Sequence, residues 1–368
     1  MDVSRERAIA FRIAAQGLGR VDDDDGAAAV LALGVQHLGP AAAIALAARL
    51  PGAPETPAER GLELAWTHRG APHWHGAGSL RSWADALRPL DDDDAAARLN
   101  WSGPGVERTG TTPLAAIDTV AGALADVVRD PMTKGEVSGA VSAVLPRALQ
   151  YDCVPCGATH VHDQLLRLGA GPAGIGLDAS ARTLRLTPRP PGWTPPSGPG
   201  SPAAVARLVT AAVRVLGPVT TADLAAWVGT GAGPLRPAVD AAGLAEVTVE
   251  GRRAWVAPDR LDLLTDPPTP PRLRLLPPFD PLLAGRDRAL LVPETGRRRT
   301  LWPSLGHPGA VLADGEVVGT WRPQASGRTL TLAVTAFDDG SWSGLDEEAE
   351  RVAAARGLRL ADVRTGSS

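Results

Sequence analysis

The residues able to do chemistry fall in a few short segments. Gln36-His37-Leu38 stands just before Pro40, at the expected end of a helix. An amide beside an imidazole can position a water. The same residues also serve as ordinary helix C-terminal chemistry, with His37 near the last carbonyls, and taken alone they favour that plainer role. Residues 66–75 bring three His, one Arg and two Trp to one expected turn. Arg69 and His73 can meet phosphates there, and a Trp can stack or wedge against a base. Equally, the segment is a hairpin with buried Trp and solvated His; His68, His73 and His75 as metal ligands fit less well. Cys153 and Cys156 with His160 and His162 have the local spacing of a zinc site, but all four fall within ten residues. That is cramped for tetrahedral geometry, and buried thiols or a small turn fit better, so neither metal nor cofactor is expected. Residues 275–288 place Asp280, Arg286, Asp287 and Arg288 around a proline-flanked turn, with Arg297-Arg298-Arg299 beyond. This is the most basic local patch, or else an ion-pair network under a loop.

The elements that must position these groups are clearest over 201–258. Val205, Leu208, Val209, Val213 and Leu216 share one helical face, and Gly217-Pro218 stops that helix. Thr220 or Thr221 caps a second helix over 222–228, with Asp223 in its first turn. Pro234 opens a third, ended by Gly243. Residues 246–250 alternate, Gly251-Arg252 turns, and 253–256 return. Three helices and a hairpin make a winged helix, with Arg252 and Arg253 at the wing tip for phosphates. Such a module also serves protein contacts, since fold alone does not fix function.

Similar patterns recur earlier. Helices are expected over 4–15, 27–33 and 41–50, then strands over 62–67 and 73–75. Acidic runs at 22–25 and 91–94 each precede a helix. A helix over 112–129 is followed by a capping box, Thr133 with Glu136, that opens another through 144. A helix over 162–168 and a strand over 183–187 complete that copy. The proline-rich stretch 188–202 is a linker. Beyond 272, strands are expected over 273–276, 289–292, 310–313, 316–321 and 329–334, with Asp314-Gly315 as a hairpin turn. A helix over 345–356 and a tail end the chain. The expected class is α+β: tandem winged-helix (helix-turn-helix) domains followed by a C-terminal β-rich domain. The divisions are 1–103, 104–187, the linker 188–200, 201–266 and 267–368.

Composition narrows the partners. The formal charge of −4 excludes a generally basic nucleic-acid coat, so any DNA contact must be local. Lys134 is the only lysine among 37 basic residues, which suits forked phosphate contacts but also reflects GC-rich codon usage. No signal-peptide pattern or membrane-length apolar run is present, so a cytoplasmic, nucleoid-associated protein is expected. Walker, Rossmann, zinc-protease and nucleophile-elbow patterns are missing.

Together these segments resemble the winged-helix DNA-binding superfamily that includes the AlkZ/YcaQ-type DNA glycosylases. The resemblance is carried by Gln36 before Pro40-Ala41-Ala42, by Arg69-Gly70-x-x-His73, and by Cys153-x-x-Cys156 with His160. The 201–258 module, the Leu275–Arg288 stretch and residues 309–322 complete it. It implies a monomer acting on double-stranded DNA, without cofactor, hydrolysing the N-glycosidic bond of bulky N7- or N3-alkylated or crosslinked purines. The family's catalytic motif is Gln, an apolar residue, then Gln or Asp. Mapped here, Gln36 is kept, His37 stands in the middle, and Leu38 replaces the second polar group. Leu38 can neither hold a water nor stabilise a sugar cation; His37 or Asp280 would have to supply that acceptor. Loss of one such group costs about 10²–10³ in rate. The alternative is a non-catalytic DNA-binding protein, a lesion binder or regulator. The expected recognition helix offers Arg236 as its one base-reading residue, beside Pro237 and Asp240, which fits sequence-tolerant contact better than regulation.

Overall fold

Ser4 starts the first helix, Arg5–Ala15, by accepting the Arg7 amide at 3.3 Å. The computed structural model describes residues 1–21, 25–100, 110–155, 157–188, 190–194, 196–338 and 340–367. Most of the first acidic run, and Cys156 of the candidate zinc spacing, therefore lie outside the described residues. The chain forms two compact units: 1–60, 211–223 and 244–368 make the first, 61–210 and 224–243 the second.

In the first unit, helix Arg5–Ala15 is buried on two sides. Ala8, Phe11 and Ala15 pack with Val247, Val249, Ala254 and Val256 of the 245–256 hairpin. Ile9 and Ile13 pack with Leu276, Leu282, Leu291 and Leu301. A helix covered this way has little room for polar side chains, yet Arg12 and Gln16 are buried on it. Their partners decide the local architecture and are described below. The 245–256 hairpin pairs Ala245–Val249 with Arg252–Val256, as the alternation predicts. It also takes Asp2–Val3 as a parallel neighbour, which two residues of sequence gave no means of foreseeing.

The larger sheet of this unit runs Arg274–Leu276, Gly309–Ala313, Glu316–Ser326, Thr329–Ala336, Arg359–Ser367. Its core combines Leu275, Val311, Trp321 and Leu332 with helix Leu345–Ala355 and with Ile44 and Ala47 of helix Ala41–Ala47. Asp314-Gly315 turns as expected, both residues at positive φ. Trp321 lies flat against Gly309, where a Cβ would stand 2.2 Å from the ring, and its Nε1 donates to the Leu276 carbonyl at 2.9 Å.

Several sequence expectations need correction here. Residues 289–292 are not a strand; Arg288–Leu291 is a short helix, because a brief apolar run carries no period of its own. The tail is a strand, Arg359–Ser367, parallel to Thr329–Ala336. Gln36 does not end a helix. Helix Asp25–Leu33 stops at Gly34, which has φ +102°, and Val35–Gln36 is extended.

In the second unit, helices Pro113–Val127 and Asp163–Ala173 pack beside strands in the order Pro72–His75, Glu63–Trp66, Gly176–Asp178, Arg185–Thr187, Met132–Thr133. The Thr133/Glu136 capping box forms with both of its bonds. A hairpin, Gln150–Cys153 with Ala158–Val161, was not expected. Between 202 and 256 the order is helix, helix, helix, hairpin: Pro202–Leu216, Thr221–Val228, Ala232–Ala241, then the strands above. Among the described residues, no helix is long and apolar enough to cross a membrane.

Candidate functional site

The first unit carries a groove of about 400 Å³ lined by Arg252, Arg286, Arg288, Arg298 and Arg299, with Trp302 and Asp223. Arg252 of the hairpin, expected to meet phosphates, thus shares one surface with Arg286 and Arg288 of the basic patch, more than thirty residues on. Among the described residues, Arg286, Arg288 and Arg299 have no carboxylate partner. Partial burial lowers the pKa of Arg286, and burial together with neighbouring Arg286 lowers that of Arg288. Both remain cations at neutral pH. Crowded, uncompensated guanidiniums stabilise a bound polyanion. Arg252 contacts Asp223 at 3.2 Å and Arg253 contacts Glu246 at 2.5 Å. Both arginines are exposed, so these pairs are weak and exchange readily for phosphate. Arg298 donates to the Val292 carbonyl at 2.8 Å and so helps fix the groove wall.

Arg12 explains why the groove is positive despite Asp287 in its wall. Arg12 grips both oxygens of Asp287, at 3.0 Å through Nη1. It also donates to the carbonyls of Gly217 and Pro218, at 3.2 and 2.7 Å. One buried guanidinium thereby neutralises Asp287 and ties the 286–288 loop to the first helix. The sequence reading missed Arg12, whose only signal was a charge amid apolar helix residues.

Asp280 does a similar job, and the expectation that it supplies a catalytic acceptor is corrected. Its side chain is 0% exposed. Both oxygens accept from Arg49, at 2.7 and 2.8 Å, and Oδ1 also accepts the Leu282 amide at 3.0 Å. Arg49 further donates to Gln16 and to the Ala45 carbonyl. Asp280 therefore locks the loop before Arg286 to the end of the helix that follows Gln36-His37-Leu38. It is a positioning residue.

Gln36 is half-buried at the end of its short strand. Among the described residues, no group hydrogen-bonds its side-chain amide. Burial lowers the pKa of His37, keeping a neutral imidazole beside it. Leu38 is 47% exposed. An amide without a hydrogen-bond partner can hold a water, and a neutral imidazole can accept a proton.

In the second unit, the predicted DNA contacts do not gather. His73 is buried and its expected phosphate role is corrected. Its Nδ1 lies 2.9 Å from the Ala71 carbonyl and 2.8 Å from the Thr67 hydroxyl. A carbonyl only accepts, so Nδ1 carries the proton, and Thr67 Oγ1 donates to His75 Nε2 at 3.2 Å. Burial, then His68, His75 and Arg69, hold His73 well below its ordinary pKa. Arg69 is turned onto the Trp227 carbonyl and ring, away from the open presentation a phosphate clamp needs. Gly229 leaves room for it, since a Cβ there would meet the Arg69 side chain at 2.8 Å. Arg236 is exposed on helix Ala232–Ala241. Among the described residues, no group of His, Cys, Asp or Glu is arranged to hold a metal.

Comparison with known proteins supplies the rest. Residues 28–355 match the family described as DNA glycosylase AlkZ-like. Comparison with the sequences of curated proteins gives no match. Among solved structures, the Streptomyces sahachiroi DNA glycosylase AlkZ is similar, with a TM-score of 0.74 and 22% identity over 100% of both chains. At that identity the likeness is one of fold.

Proposed function

The chain belongs to the AlkZ-like DNA glycosylase family, and from that premise we propose that it removes bulky N7- or N3-alkylated, or crosslinked, purines from double-stranded DNA. The reading includes a tandem winged-helix arrangement acting as a monomer. The observation that carries it is the half-buried Gln36 amide, to which no described residue hydrogen-bonds, followed in the chain by His37 with a lowered pKa. An alkylated purine is already cationic. When its C1′–N bond breaks, the bonding electrons neutralise the ring, and the sugar becomes oxocarbenium-like. Gln36 holds the water that adds to C1′, and His37 takes the proton that water loses. The arginine groove holds the phosphates, with Arg252, Arg286 and Arg288 as principal contacts; Arg253 and Arg236 are further exposed contacts. Asp280 has no part in the chemistry.

A second reading, a lesion binder that does not cut, is favoured by Leu38 in place of a second polar residue. The two separate in one assay. Wild-type protein is incubated with duplexes bearing N7-alkyl, N3-alkyl or crosslinked purines, and abasic sites are counted. Release by the wild type, reduced about 10²–10³-fold in Gln36→Ala, is expected. Duplex binding with no abasic sites on any substrate would leave only the binder.

A further inference from the structure

Leu305 is 89% exposed, at the apex of the loop that leaves helix Thr295–Leu301 and enters strand Gly309–Ala313. A single exposed leucine is ordinary on a protein surface. This one differs in how it is held and in what stands next to it. Before it, Trp302 lies under Arg288, whose Cζ is 4.9 Å from the ring, and both line the arginine groove. After it, His307 stacks on Phe279 with ring centroids 4.8 Å apart and planes 17° from parallel. Pro303 and Pro308 limit the backbone on either side, and Gly306 takes φ +66° so the chain can turn directly after the leucine. Phe279 itself stands at φ +61°, a conformation retained in the loop that Asp280 and Arg49 lock. The result is a loop held on both sides, with a branched apolar tip three residues from the Trp that lines the arginine groove.

Removing a base from a duplex requires that base to leave the stack. Proteins that kink DNA do so by inserting Leu, Ile, Phe, Met or Pro between base steps while cations hold the flanking phosphates. We propose that Leu305 is this wedge: it enters the stack of a duplex seated on the arginine groove and opens the step beside the damaged nucleotide. The inference rests on the DNA-acting reading above and adds the residue that does the opening. A short apolar tip suits it, because a polar one would bring water into the stack that it must replace.

The test uses a duplex with 2-aminopurine beside an N7-alkylguanine, whose fluorescence rises on unstacking. Wild-type protein should raise the signal. Leu305→Ala should bind with the same affinity and salt dependence, since the arginines are intact, but leave fluorescence near that of free duplex. Leu305→Met should restore it, and base release by Leu305→Ala should fall by on the order of tenfold. Val154 is 91% exposed in the second unit, so Val154→Ala is the control and should behave as wild type. Full fluorescence enhancement in Leu305→Ala, or equal loss in Val154→Ala, would overturn the wedge while leaving the glycosylase reading in place. If wild type neither binds duplex nor releases base, the DNA-acting reading fails first and the wedge falls with it.

Discussion

At the scale of single residues, the sequence named the right kinds of group but not always their work. Asp280 was conspicuous as a carboxylate in a proline-flanked turn, and its chemistry suited an acceptor. What the sequence could not show is that Arg49, 231 positions away, donates to both of its oxygens. A buried carboxylate bound to a buried guanidinium holds geometry, and at 0% exposure it is out of reach of solvent water. Breaking such a pair from one side leaves the other charge buried and uncompensated, at a cost of about 3–5 kcal/mol. Asp280→Asn should therefore lower the urea midpoint sharply, and Asp280→Leu with Arg49→Met should recover much of the loss. A catalytic Asp280 would give the opposite pattern, a collapse in rate at unchanged stability. Gln36 is a different case: taken alone its residues favoured helix-end chemistry, and only the family resemblance singled it out.

At the scale of elements, local pattern was the reliable guide. The Thr133/Glu136 capping box forms where its spacing places it, and the helix expected after the second acidic run is capped by Asp91. The 63–75 hairpin also forms as its alternation predicts. Its interior did not follow, because whether a His is solvated depends on what covers it. Here His68, His73 and His75 are all buried, and Trp227 lies 4.4 Å from His68. This gives the element a pH dependence whose sign is fixed. His73 is held well below its ordinary pKa by burial and by His68, His75 and Arg69. The unfolded chain therefore binds that proton first as pH falls. Stability is fully present above about pH 6.5 and declines below it, by up to about 1.4 kcal/mol per pH unit for one group. The decline continues until the folded-state pKa is reached. His37, His162 and His307 are lowered too and add slopes of their own, so the measurement is a difference. Urea unfolding of wild type and His73→Gln between pH 7.5 and about pH 5 should converge as pH falls. Parallel lines would mean that His73 titrates normally in the folded hairpin.

At the scale of the molecule, a protein of net charge −4 has to make its DNA contact with local charge. Arg286, Arg288 and the 297–299 run were visible in sequence as a basic stretch, but which of these arginines are available was not. Availability is settled by pairing, most of it between residues distant in sequence. Arg12 takes Asp287 out of play, while Arg297 is engaged by Glu294 and by Asp338. Arg286, Arg288 and Arg299 are left facing the groove. Each phosphate they neutralise releases condensed counterion, contributing about 0.9 to the slope of log affinity against log salt. The triple variant Arg286→Ala/Arg288→Ala/Arg299→Ala should therefore flatten that slope by roughly 2.7, measured by fluorescence anisotropy on an undamaged duplex from low to physiological salt. The weakening should be equal for unrelated sequences, because phosphates carry no base identity. Arg297→Ala should leave the slope nearly unchanged, although it removes the same formal charge from the same run. That contrast distinguishes a built interface from a general charge effect. If Arg297→Ala costs as much slope as a groove arginine, net charge governs binding and the groove has no privileged role.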